Sequence, residues 1–216
     1  REANLVSKPA NLPFEQAAAV PVPGMTALQG LRDTGGVRPG QKVLIIGAGG
    51  GVGTFAVQIA KALGAEVTGA CSGAKTDLVR SIGADHAVDY TRQDLGEGSR
   101  RYDVVLDTAG LRSLSRLRRA LAPGGTLVLI GGEGGGRWCG GMGRFLRAIL
   151  MSPFVRQRLR PHLTKGRKED LEFLRGLVEA GKVTPVLDRT YPLSAVPEAV
   201  RHLAEGHARG KTVINV

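Results

Sequence analysis

Hydrophobic positions along this chain switch repeatedly between two periods. Val43-Leu-Ile-Ile46 is a run of four apolar β-formers that leads straight into the glycine cluster Gly47-Ala-Gly-Gly-Gly-Val-Gly53. There the period changes: Val52, Phe55, Ala56, Ile59, Ala60 and Leu63 fall at i, i+3, i+4, i+7, i+8 and i+11, one face of a helix. Gly64 supplies its stop. The rhythm then repeats. Residues 65–71 read as a second strand, 77–82 as a short helix, 83–90 as a turn and third strand, and 102–107 as a fourth strand. Leu111, Leu114, Leu117 and Leu121 give the following helix an apolar edge, 122–125 is a turn, and 126–130 is a fifth strand. Strands alternating with helices in this way predict an α/β fold with a doubly wound parallel sheet.

The flanks are less regular. Residues 15–20 read as a small-residue helix stopped by Pro21 and Pro23, and Gly24 to Leu31 as a further helix. Residues 145–163 read as a helix broken at Pro153 and then a short strand. Lys168 to Ala180 is amphipathic, with Glu169 and Asp170 in its first turn and Gly181 as its stop. A strand over 186–191, a helix capped by Ser194, and a strand over 211–216 close the chain. Gly131 to Gly143, carrying Glu133, Trp138 and Cys139, reads as a long loop suited to a substrate-side lid.

Strand, glycine loop and helix start together make an anion site. A loop without side chains lets the backbone approach a pyrophosphate, and the free N–H groups of the helix N-terminus face it. Gly47, Gly50, Gly51, Val52 and Gly53 are therefore candidate dinucleotide contacts. In an open parallel sheet, ligands lie beyond the carboxyl ends of the strands. Ser72, Thr108 to Gly110 and Gly131 all follow strand ends, so one elongated ligand could touch each. A site for NAD usually places a carboxylate at the end of the second strand to hold the ribose 2′-hydroxyl. No acid stands between Val67 and Thr76; Ser72 and Lys75 stand there instead. A hydroxyl and an ammonium suit a 2′-phosphate, so the expected cofactor is NADP(H). Gly69-Ala-Cys-Ser-Gly73 also matches a G-x-C-x-G nucleophile elbow, but no His in a suitable loop is placed to activate Cys71.

The loop spacing, glycines at 47, 50 and 53, resembles the zinc-free quinone oxidoreductase branch of the medium-chain dehydrogenase/reductase superfamily. The resemblance extends from Lys8-Pro-Ala-Asn-Leu-Pro-Phe-Glu-Gln-Ala-Ala-Ala-Val-Pro21 and Gly24-Met-Thr-Ala27 to the tail segments 181–193 and 205–214. It implies that 1–24 is a crossover from a catalytic domain, that 25–187 is the Rossmann domain, and that 188–216 is a tail completing the GroES-like catalytic domain. The front of that domain would precede Arg1, so the chain is expected to begin inside a longer protein. The resemblance also implies that Lys75 and Tyr90 touch the 2′-phosphate, and that Thr108 and Gly110 border the nicotinamide ribose. In zinc-dependent relatives a Cys ligand precedes the helix-start Thr by four residues. With that Thr set on Thr26, the ligand position is Val22, which cannot bind metal, and Thr26 would border the nicotinamide. The catalytic residues would lie mostly outside this chain.

Composition narrows the rest. The two cysteines, Cys71 and Cys139, exclude a disulfide framework, and no C-x-x-C or H-x-x-x-H pair marks a zinc site. A reducing, cytoplasmic setting is expected, and no apolar run is long enough to span a bilayer. The formal charge is +11, concentrated in Arg137 to Lys168, where nine Lys or Arg stand with no acid. That stretch offers an alternative, a nucleic-acid or protein-interaction role. Scarce aromatics, 4%, disfavour nucleic acid. The leading expectation is an NADPH-dependent reductase of quinones, enones or related carbonyl compounds, without metal, acting as a homodimer. Taken by itself, the chain is expected to bind cofactor and turn over little.

Overall fold

A computed structural model describes residues 5–93, 95, 100–130, 142–206 and 208–216. Its centre is a six-stranded parallel sheet with strands β1 (Lys42–Ile46), β2 (Glu66–Cys71), β3 (His86–Asp89), β4 (Tyr102–Asp107), β5 (Leu121–Leu129) and β6 (Arg158–Pro161). Their order is β3-β2-β1-β4-β5-β6, the doubly wound Rossmann order. The apolar run at 43–46 forms the middle because a parallel strand covered on both faces must be apolar on both. Val43 and Ile45 face one core cluster and Leu44 and Ile46 the other.

On the first face lie α2 (Pro21–Gln29), α3 (Gly51–Ala62) and α7 (Lys168–Glu179); on the second lie α5 (Leu114–Arg119) and α6 (Met142–Met151). Phe55 of α3 is fully buried, which stabilises the fold by roughly 1.5–3 kcal/mol. The remaining helices are α1 (Phe14–Ala18), α4 (Thr76–Ser81) and α8 (Val196–Ala204). The tail strands β7 (Leu187–Pro192) and β8 (Lys211–Asn215) pair in parallel as a separate two-stranded sheet, joined through α8.

Five local expectations need correction. Pro21 and Pro23 do not stop a helix; they occupy the first turn of α2, where a missing N–H costs nothing. That helix does not end at Leu31 but widens into a π-helical turn over Gly30–Gly35, ended by Gly36 at φ +62°. Leu111 and Leu121 do not belong to the helical edge of α5: Leu111 is exposed and Leu121 opens β5. Residues 122–125 are an outward bulge inside β5, since Leu121 pairs with Tyr102 and Thr126 with Val104. Finally, Ser194 lies in a short 3-10 turn, and α8 has no side-chain cap.

Candidate cofactor site

The loop between β1 and α3 can only be built from glycine at its two ends. Gly47 has φ +81°, and a Cβ there would lie 2.5 Å from Thr108 Oγ1. At Gly53 a Cβ would lie 2.0 Å from the Gly47 carbonyl oxygen, closer than atoms can approach. The first turn of α3 therefore presses directly on the loop. Gly50 is the N-cap in extended conformation, so the N–H groups of Gly51, Val52 and Gly53 open the helix without intrahelical acceptors. This is the geometry of an anion cradle.

Two lysines flank it. The Lys75 stem lies against Gly49, whose Cβ would meet Lys75 Cδ at 2.8 Å, and the Lys211 stem lies against Gly51 at 2.6 Å. Lys75 Nζ donates to the carbonyl oxygens of Ala208 at 2.7 Å and Gly206 at 3.5 Å. The tail is also bound to the loop directly, through Gly210 N–H to the Gly49 carbonyl at 3.1 Å. Burial lowers the Lys75 pKa, with Asp188 opposing. Lys211 escaped the sequence reading because it lies 160 positions beyond the loop; the only signal was the tail segment Glu205-Gly-His-Ala-Arg-Gly-Lys211 that contains it.

At the β2 end, Ser72 is the half-buried residue before the 3-10 turn Gly73–Lys75, and its hydroxyl makes no capping bond to that turn. Tyr90 follows β3, donates its N–H to the Cys71 carbonyl at 3.1 Å, and lies under the Arg112 guanidinium at 5.7 Å. Ser72, Lys75 and Tyr90 are thus gathered at one corner. An acid was missed there because it comes from β3 and not from β2. Asp89 packs against Gly73, accepts from Thr91 N–H at 2.9 Å and Thr91 Oγ1 at 2.7 Å, and pairs with Arg92 at 3.7 Å. The Thr91 bonds hold its carboxyl below the usual range. Cys71 is buried, and desolvation raises its thiol pKa, the reverse of what a nucleophile needs.

At the β4 end, Thr108 Oγ1 donates to the Ile46 carbonyl at 2.8 Å and so covers Gly47. Asp107 is 0% exposed and accepts the N–H groups of Ala109 at 3.2 Å and Gly110 at 3.1 Å, shaping the turn in which Gly110 has φ +72°. Arg144 of α6 donates to the other Asp107 oxygen, a partner 37 residues away that no local pattern marks. Thr26 sits mid-helix in α2, buried, and its hydroxyl bonds the Val22 carbonyl at 2.7 Å and Thr164 Oγ1 at 2.8 Å. Val22 is 70% exposed. Gly131 and the lid residues Glu133, Trp138 and Cys139 lie outside the described residues. Among the described residues no group of three or more His, Cys, Asp or Glu could hold a metal, and no helix is long and apolar enough to cross a membrane.

Residues 82–214 match the family model described as zinc-binding dehydrogenase. The chain belongs to that family. It is 34% identical to the mitochondrial NAD(P)H oxidoreductase RTN4IP1 of Bos taurus, over 97% of this chain and 57% of the relative. The chloroplast envelope quinone oxidoreductase homolog of Arabidopsis thaliana is also 34% identical, over 97% of this chain and 64% of that protein. Among solved structures, the quinone oxidoreductase from Coxiella burnetii superposes with a TM-score of 0.86 at 30% identity, covering 98% of this chain and 63% of that one. The chain thus spans roughly three-fifths of the length of these relatives.

Proposed function

We propose that this chain is the cofactor-binding portion of an NADPH-dependent oxidoreductase that reduces quinones, enones or related carbonyl compounds without zinc. The observation that carries the reading is the glycine loop held between Lys75 and Lys211, with Ser72 at the end of β2 and the neighbouring Asp89 carboxylate of β3 already engaged by Thr91 and Arg92. The names of the relatives, which include an NADPH-dependent alkenal/one oxidoreductase of Arabidopsis thaliana, support the cofactor and the substrate class. When bound, the dinucleotide supplies the hydride; the protein supplies position.

The residues around the loop and the strand ends divide that positioning among them. The Gly51, Val52 and Gly53 N–H groups and the Lys211 ammonium would hold the pyrophosphate. Ser72, the remaining N–H of Lys75, and Tyr90 would meet the 2′-phosphate. The Thr108 to Gly110 turn, fixed by Asp107 and Arg144, would carry the nicotinamide ribose. Thr26 would support the nicotinamide side through Thr164. The case for a zinc-free site rests on Val22 at the position where zinc-dependent relatives have a ligand.

The second wall of the cleft, in this reading, comes from a catalytic domain to which 1–24 and 188–216 belong. Without that wall donor and acceptor are not held together, so turnover by these 216 residues alone is low. The edge strand β6 and the exposed Leu146, Ile149 and Leu150 of α6 favour self-association as a homodimer. The test is NADPH oxidation by a quinone and enone panel, run on this chain and on the chain joined to a relative's catalytic domain. Turnover restored by the joined domain supports the reading; a joined protein that binds NADPH yet reduces none of the panel contradicts the substrate class.

A further inference from the structure

The basic stretch near β6 is left unused by the cofactor site, and the structure gives it a definite place. Arg158 and Arg160 are two residues apart on β6, so both side chains leave the same face of the sheet. They meet Arg38, from the loop before β1, around a recess of about 370 Å³. That volume is at the lower end for small-ligand sites. The recess lies at the amino end of the strands, beside the residues that enter β1, β4 and the paired part of β5. The glycine loop lies at the opposite, carboxyl end. The two sites therefore lie at opposite ends of the strands.

The arginines are pre-positioned. Arg158 Nη2 donates to the Gly124 carbonyl at 3.2 Å, and Arg160 Nη1 donates to the Thr34 carbonyl at 3.3 Å. Each bond uses one N–H of a five-donor fork and leaves the others available. None of the three guanidinium groups pairs with a carboxylate among the described residues. Thr34, Gln41 and Thr126 also line it, and Gly36 and Gly124 leave it open, since a Cβ at either would meet nothing within 4 Å. Asp103 also lines the recess, but its Oδ2 accepts the Lys42 N–H at 2.8 Å. Three guanidinium forks and a polar wall, set against the single carboxylate of Asp103, leave a net positive recess with the chemistry of polyphosphate recognition.

We propose that this recess is a second anion site, which binds a di- or triphosphate group, free or as the tail of a nucleotide, independently of the cofactor cradle. The proposal does not depend on the cradle binding NADPH.

The test is titration calorimetry of the full 216-residue chain with inorganic pyrophosphate, tripolyphosphate and ADP, each with and without saturating NADP⁺. The proposal expects one saturable site per chain that persists under NADP⁺. Arg158→Gln combined with Arg160→Gln should weaken it roughly tenfold or more, the loss of charged hydrogen bonds. Arg38→Gln, in a loop that carries no strand, should weaken it as well and guards against misfolding of β6 in the double variant. Lys75→Gln combined with Lys211→Gln should leave it unchanged. Tighter binding of ADP than of pyrophosphate would identify a nucleotide as the source, and the reverse a free polyphosphate. Full displacement by NADP⁺, loss in the lysine variant, or unaltered affinity in both arginine variants would overturn the proposal.

Discussion

Replacing Lys75 with alanine isolates the claim about cofactor choice. The side chain does two jobs. Its stem packs on Gly49, and its ammonium spends two N–H groups on the carbonyls of Ala208 and Gly206, which leaves one for a phosphate. The variant therefore loses one charge-assisted bond to the 2′-phosphate and also loosens the tail from the loop. A hydrogen bond to a charged group contributes about 1.5–3 kcal/mol, so NADPH affinity should fall roughly tenfold or more. Loosening the tail disturbs the pyrophosphate region, which NADPH and NADH share. That part should weaken both cofactors equally and cancel in their ratio. The assay is titration of reduced-nicotinamide fluorescence with each cofactor at two salt concentrations. The expected result is a collapse of the NADPH-over-NADH preference, with NADH weakened only by the smaller, shared tail contribution. Equal weakening of both cofactors would refute the reasoning, because Lys75 would then act only as a tether for the tail. A wild-type preference for NADH would sink the assignment of NADPH altogether.

Four further outcomes are expected. Gly53→Ala should destabilise the chain by roughly 1–3 kcal/mol and abolish NADPH binding, because its methyl group collides with the Gly47 carbonyl; Gly176→Ala, in α7 with open space around it, should instead raise stability in a urea melt by about 0.5–1 kcal/mol. His162 is 8% exposed, and burial holds its imidazole below the ordinary value of 6.5, with Asp33 opposing. The unfolded chain then takes up a proton that the folded chain resists, so this contribution is full above about pH 6.5 and is lost as pH falls towards the folded value; His162→Gln should flatten urea-melt stability across that acid limb. Elemental analysis of the purified chain should find no stoichiometric zinc, and one zinc per chain would contradict the reading of Val22.

Much of the fold was legible because period and punctuation agree in its centre. The 43–46 run, the glycine loop and the α3 face each point to the same βα unit, and the structure places Phe55, Ala56, Ile59 and Ala60 in the core. Where the signals were ambiguous, context decided. Pro21 and Pro23 serve equally as a helix stop or a first turn, and only the packing of Leu28 and Leu31 against the sheet makes them a start. Leu121 fits the apolar spacing of α5, but its pairing with Tyr102 takes it into β5. The candidate site divides the same way. Gly47, Gly53 and Ser72 are set by local chain geometry and can be read from spacing. Lys211 beside Gly51, Arg144 on Asp107 and Asp89 against Gly73 are set by topology, and nothing within ten residues of each announces its partner.

The account stands most directly on where NADPH binds, and amide hydrogen exchange with and without the cofactor reads that out. The prediction is slowed exchange at 47–53, 72–75 and 108–110, together with the tail at 208–211 that closes over the loop, and little change at 34–41 or 122–126. Exchange unaltered at 47–53 under saturating NADPH, or protection confined to other segments, would contradict the claim that this loop and its two lysines form the cofactor cradle.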